Sequence, residues 1–169
     1  MNRTNIHAGR RAFTLVELLL ILALMTAMVA MAAPMLSGFF RGRSLDSEAR
    51  RLLALTHAAQ SRAAAEGFPM LLWLDAERKT YGLEQEAPPR EGDPRAQEFE
   101  MEDNLALELG KATPVAVHGR QLPAIRFLPD GTIDETSPAT VRLAGTDQSA
   151  LWLMATTNRT NYEIRNRQL

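Results

Sequence analysis

Arg11-Ala12-Phe13-Thr14-Leu15-Val16-Glu17-Leu18-Leu19 opens the most biased stretch of a 169-residue chain. From Phe13 to Phe40 there are 28 residues, 22 of them hydrophobic, with one charge, Glu17. Leu18–Phe40 is an uncharged run of 23 residues. As a helix rising about 1.5 Å per residue it reaches about 34 Å, enough for a hydrocarbon core of about 30 Å. Ahead of the run stand Arg3, Arg10 and Arg11 with no acid, which favours a cytoplasmic start. Arg41, Arg43, Arg50 and Arg51 follow it, so charge asymmetry alone does not decide the orientation. Met25, Met28, Met31 and Met35 recur at helical spacing and read as adaptable packing surface rather than as a metal stripe.

Whole-chain averages conceal this rod. Hydrophobic residues are 46%, charged residues 23%, the net charge is -1 and the mean hydropathy is -0.18. The length allows one ordinary core. Zero cysteine excludes disulfides, thiolate metal sites and cysteine nucleophiles. No G-x-S-x-G, H-E-x-x-H, P-loop or G-x-G-x-x-G pattern is present, and His7, His57 and His118 are scattered. The expectation is a protein without catalytic residues, cofactor or metal.

Two readings compete for the apolar segment. The first is a Sec signal peptide cut after Ala30-Met31-Ala32, which releases a soluble β-rich binding domain. Against it, the stretch exceeds the usual 7–15 apolar residues of such peptides. Glu17 also costs roughly 2.5–3.5 kcal/mol at mid-membrane depth, which marks it as functional. The second reading is a resemblance: Arg11–Leu19 is similar to the processing signal of type IV pilins and type II secretion pseudopilins. That family has a basic leader, a small residue, then Phe-Thr-Leu-hydrophobic-Glu opening a long helix. The resemblance implies a 1–12 leader, cleavage by prepilin peptidase between Ala12 and Phe13, and N-methylation of Phe13. Ala12 stands where the family has Gly, which bears on cleavage efficiency. It implies further that Glu17 pairs with the N-terminal amine of a neighbouring subunit, an assembly role. Many pilins also carry a proline where Pro34 falls, and a proline there kinks or locally melts the helix.

The rest of the chain extends this organisation. Ser44–Glu66 is amphipathic, with Leu45, Ala49, Leu52, Leu53, Thr56, Ala59 and Ala63 at helical steps. Arg43, Glu48, Arg50, Arg51, Gln60 and Arg62 are expected mainly on the other faces. Gly67 and Pro69 stop the helix. Beyond them the period becomes two: Met70–Leu74, Thr80–Glu84, Phe99 with Met101, Leu105–Leu109, Ile125 with Phe127, Thr140–Leu143, Ala150–Thr156 and Asn161–Asn166. Pro129-Asp130-Gly131 has the chemistry of a hairpin turn. The fold class expected is α+β: a long N-terminal helix packed on an antiparallel β-sheet head, pilin-like. The expected segments are 13–40 for the transmembrane and filament-core helix, 41–67 for its amphipathic continuation, and 68–169 for a periplasmic head.

Ile125-Arg126-Phe127-Leu128-Pro129-Asp130-Gly131 resembles the F-x-P-x-G hairpin of the H-type minor pseudopilins. Ala58–Pro69 resembles the segment that closes their helix. The same group includes minor pilins of the FimT and FimU type. The resemblance implies a minor pseudopilin of a type II secretion system in the inner membrane, with other pseudopilins as partners. The alternative it leaves open is a type IV pilus minor pilin, some of which bind DNA through basic C-terminal residues; Arg159, Arg165 and Arg167 are the candidates here. Composition argues against nucleic acid. Without Arg3, Arg10 and Arg11 the chain has 16 basic and 20 acidic side chains, net -4. The acid-rich 84–103 segment reads either as a calcium or partner-docking loop, or as a solvated loop and polar strand face.

Overall fold

The computed structural model describes residues 14–88 and 92–166, with the side chains of 32–42 excepted. The chain divides into two units, Met1–Phe39 and Phe40–Leu169. In the first, Thr14 caps helix α1 (Leu15–Glu66): the Glu17 N–H donates to Thr14 Oγ1 at 3.2 Å. The expected start at Phe13 lies outside the described residues.

The second unit is α+β. Its strands are β1 (Met70–Asp75), β2 (Thr80–Gln85), β3 (Gln97–Glu100), β4 (Leu105–Leu109), β5 (Pro114–Val117), β6 (Arg120–Phe127), β7 (Thr140–Gly145), β8 (Ala150–Ala155) and β9 (Tyr162–Arg165). They form two sheets, in the orders β3-β2-β1-β6-β5 and β4-β7-β8-β9, and every pairing is antiparallel. Leu45, Ala49, Leu52, Leu55, Ala59 and Ala63 of α1 are buried in one core with Met70, Leu72, Leu74, Ile125 and Phe127 of the first sheet. Leu105, Leu107, Val141, Leu143 and Leu153 bring the second sheet into the same core. One helical stripe therefore serves both sheets.

The antiparallel head is built of these two sheets. Pro129-Asp130-Gly131 turns the chain back antiparallel on the end of β6: Phe127 bridges Ile133, the Leu128 N–H donates to the Thr132 carbonyl and the Asp134 N–H to the Arg126 carbonyl, both at 2.9 Å. Strand β5 has no counterpart among the period-two runs of the sequence, because a four-residue run starting with proline carries almost no periodicity. It is joined to β6 by His118 and Gly119, both at positive φ, the twist a two-residue hairpin requires.

Strand β1 is buried along its whole length, which is why Met70–Leu74 reads as a continuous apolar run. Its second face, Leu71 and Trp73, packs with Val117, Leu122 and Ala124. The Trp73 ring lies across β2 at Gly82, where a Cβ would come within 2.5 Å of both the indole and the Gln97 carbonyl. Gly82→Ala is therefore expected to destabilise the head by about 1–3 kcal/mol through overpacking. Urea unfolding checks this, and Gly82→Ala combined with Trp73→Leu should cost less than the sum of the two single losses.

Candidate functional site

The apolar opening of α1 is the first candidate. From Leu15 to Met31 its large hydrophobic side chains stand 44–80% exposed, on all faces. Thr26 Oγ1 donates to the Leu22 carbonyl at 2.6 Å, so its hydroxyl is satisfied within the helix. Glu17 sits in the first turn, where a carboxylate is favoured by the helix dipole. Ala12 and Phe13 lie outside the described residues. Pro34 falls within α1, with its side chain outside the described ones. Among the described residues no helix is long and apolar enough to cross a membrane.

The second candidate is the join between α1 and the sheets. Glu48, expected on a solvent face, is buried, a correction with a clear cause. Its carboxylate accepts hydrogen bonds from the Tyr81 hydroxyl on β2 and from Arg51 at 3.1 Å. Burial first, then Glu48, pushes the Tyr81 phenol far up, so it stays a donor. Phe99 stacks on Tyr81 at 5.6 Å, and the Arg51 guanidinium lies 5.8 Å from the Phe99 ring. Ser44 donates to Glu102, beyond the end of β3.

Gln60 is the residue that sequence reading missed. Its amide donates to the Gly131 carbonyl at 2.6 Å and to the Thr160 carbonyl at 2.5 Å. The first belongs to the Phe-Leu-Pro-Asp-Gly turn, the second to the turn between β8 and β9. The two turns also meet directly, since the Ile133 N–H donates to the Arg159 carbonyl at 2.8 Å. The signal for Gln60 was its place in the Ala58–Pro69 segment, a lone long amide among alanines.

Arg159 is drawn into this join, its guanidinium donating to the Asp134 carbonyl at 2.9 Å. Arg165 is exposed on β9 and pairs with Glu163 at 3.3 Å. Arg167 lies outside the described residues. The structure thus gives Arg159 and Arg165 separate partners.

The acid-rich segment supplies struts. Glu84 faces His118 at 3.1 Å, Glu86 meets Arg126 at 2.7 Å, and Lys79 donates to the Asp103 carbonyl. Among the described residues no three His, Asp or Glu side chains are grouped to hold a metal ion. Asp93 has only 4% of its side chain exposed, and Arg62 has 16%. The Asp93 carboxylate accepts from Arg62 at 3.0 Å and from the N–H groups of Gln85 and Arg95, both at 2.9 Å. Arg62 also reaches Glu66 at 3.0 Å, which ties the acidic segment to the end of α1. Burial pushes the Asp93 carboxyl up, and the Arg95 and Gln85 N–H groups with Arg62 outweigh it and hold it below the usual range.

Asp93→Asn is expected to cost about 3 kcal/mol at neutral pH, the scale for breaking a buried charge pair. The native pKa is depressed, so this stability is present above the ordinary aspartate value of 3.8 and fades as pH falls through the native one. Thermal melts of wild type and variant from neutral to strongly acid pH should converge at the acid end. A gap independent of pH refutes the assignment.

Residues 48–160, about two thirds of the chain, match the family described as type II transport protein GspH. Among solved structures the chain is similar to the minor pseudopilin EpsH from the type 2 secretion system of Vibrio cholerae. The TM-score is 0.56 at 13% identity, covering 73% of this chain and 97% of that one, a likeness of fold. No curated protein sequence matches. The matched region runs from the buried Glu48 to the turn that Gln60 holds, and by it the chain belongs to the GspH family of type II transport proteins.

Proposed function

We propose that the chain is a minor pseudopilin that works by assembly: its apolar helix joins a filament core and its head supplies contacts to other pseudopilins. The observation that carries this reading is the family match across 48–160, joined to a helix whose opening turns apolar side chains outward on every face. Such a surface needs cover from lipid or from other helices. In the inner membrane the cover is lipid, with the uncharged run Leu18–Phe40 spanning the bilayer and the head in the periplasm. In the filament the cover is neighbouring helices.

Processing fits the same picture. Prepilin peptidase cuts between Ala12 and Phe13 and leaves a cationic, N-methylated Phe13. Glu17 then lies four residues from that amine on the same helix face. Pairing with the amine of a neighbour neutralises two charges that are each costly in an apolar core, and a mispaired subunit keeps a bare carboxylate. Pro34 offers no N–H to the Ala30 carbonyl, a soft point where the helix can adapt to its neighbours. No step in this role needs catalysis.

N-terminal sequencing of the protein recovered from cells that hold the peptidase tests the processing. A start at methylated Phe13 is expected; a start at Ala33 means a Sec product and overturns the reading. Glu17→Leu should still fractionate with membrane but lose cross-linking to other pseudopilins. Cross-linking at the wild-type level would sink the role given to Glu17.

A further inference from the structure

The four-stranded sheet has one face in the core and the other open. Register places Glu108 of β4 opposite Arg142 of β7, Arg142 opposite Trp152 of β8, and Trp152 opposite Arg165 of β9. The four residues form one straight row across the open face. Arg142 bonds Glu108 Oε1, and its guanidinium lies 5.5 Å from the centre of the Trp152 ring. On the inner face, Leu107, Leu143 and Leu153 are buried, and Ile164 packs against them.

The edges of the two sheets differ. In the five-stranded sheet, β3 carries Glu98 and Glu100 and β5 begins at Pro114, features that discourage strand addition. In the four-stranded sheet, β4 and β9 have neither proline nor a run of like charge. The row ends in Glu108 at one edge and in Arg165 at the other. The strand count is even and every pairing antiparallel, so β4 and β9 run in opposite directions. A copy set alongside in the same orientation therefore offers β4 antiparallel to β9, as a sheet requires.

We propose that β9 of one copy of this chain pairs with β4 of a second copy, with Arg165 opposite Glu108 of the second copy. The register follows from that pair: Ile164 comes opposite Leu109 and Glu163 opposite Gly110. Apolar residues stay on the inner face and the charge row continues as Glu-Arg-Trp-Arg through each copy. The contact is heterologous, so it leaves a free β4 and a free β9 at its ends and adds copies side by side. All copies keep one orientation, which suits chains anchored in one membrane. The pairing is independent of how the N-terminus is processed.

The full-length chain in detergent micelles, examined by sedimentation velocity over a concentration series, tests this. Wild type should form dimers and larger species as concentration rises. Arg165→Glu, at an exposed position, should keep the circular dichroism of wild type and lose that association. Mixing Arg165→Glu with Glu108→Lys should restore a mixed species. The chain has no cysteine, so position can be trapped. Glu108→Cys mixed with Arg165→Cys should give a disulfide dimer under mild oxidation, and neither variant alone should do so. A wild type that stays monomeric, an Arg165→Glu chain that associates as wild type does, or equal disulfide yield from one variant alone would each overturn the proposal.

Discussion

The head depends on how closely one helix face lets two sheets approach it. The sheets share no strand, and the stripe from Leu45 to Ala63 on α1 is buried in one core with both of them. Three of its members, Ala49, Ala59 and Ala63, are fully buried. Small side chains there let the large residues come from the sheets, from Met70, Leu72, Phe127, Leu143 and Leu153. Exchange of one such alanine for leucine would add volume at a fully buried position and press helix and strands apart. Leu52 is buried in the same stripe. The helix thus works as a wall, and the strands arrange themselves against it.

A wall with a smooth apolar face fixes distance but not position along its length. Polar side chains at the margins of the stripe do that. Glu48 takes the Tyr81 hydroxyl, Gln60 takes two turn carbonyls, and Arg62 takes Asp93. Each bond is directional, and a helix slid by one turn would leave a buried carboxylate or carbonyl without its donor, at about 1–3 kcal/mol for each neutral group and more for a charge. Hydrophobic burial supplies the bulk of the stability, and these three contacts select one register from several of similar area.

This division explains what was legible in the sequence. The stripe and most strands announce themselves by period, because burial repeats: Leu105, Leu107 and Leu109 alternate with Ala106 and Glu108, and the structure makes them β4. The Pro129-Asp130-Gly131 turn was equally readable, since Asp130 accepts from both the N–H and the hydroxyl of Thr132. The fixing contacts have no period. Glu48 looks like any solvent-facing acid until Tyr81, 33 residues later, is placed above it. Gln60 meets partners 71 and 100 residues away, a pairing no local pattern can carry. Asp93 reads in sequence as one of many acids in a loop, and only three converging donors distinguish it.

The exposed helix poses the remaining physical question, which is what kind of cover it needs. Lipid tails and apolar side chains satisfy Leu19, Met25 or Val29 almost equally well, so hydrophobicity alone does not tell a membrane from a filament core. Glu17 breaks the tie. Near a lipid interface its carboxylate can keep some water at moderate cost, and deeper in hydrocarbon it cannot. Against neighbouring helices it needs a donor of its own, and in the filament proposed above that donor is the N-terminal amine of a processed neighbour. On that proposal one acidic side chain lets the same apolar surface rest in lipid and yet prefer the filament, where the charge gains a partner.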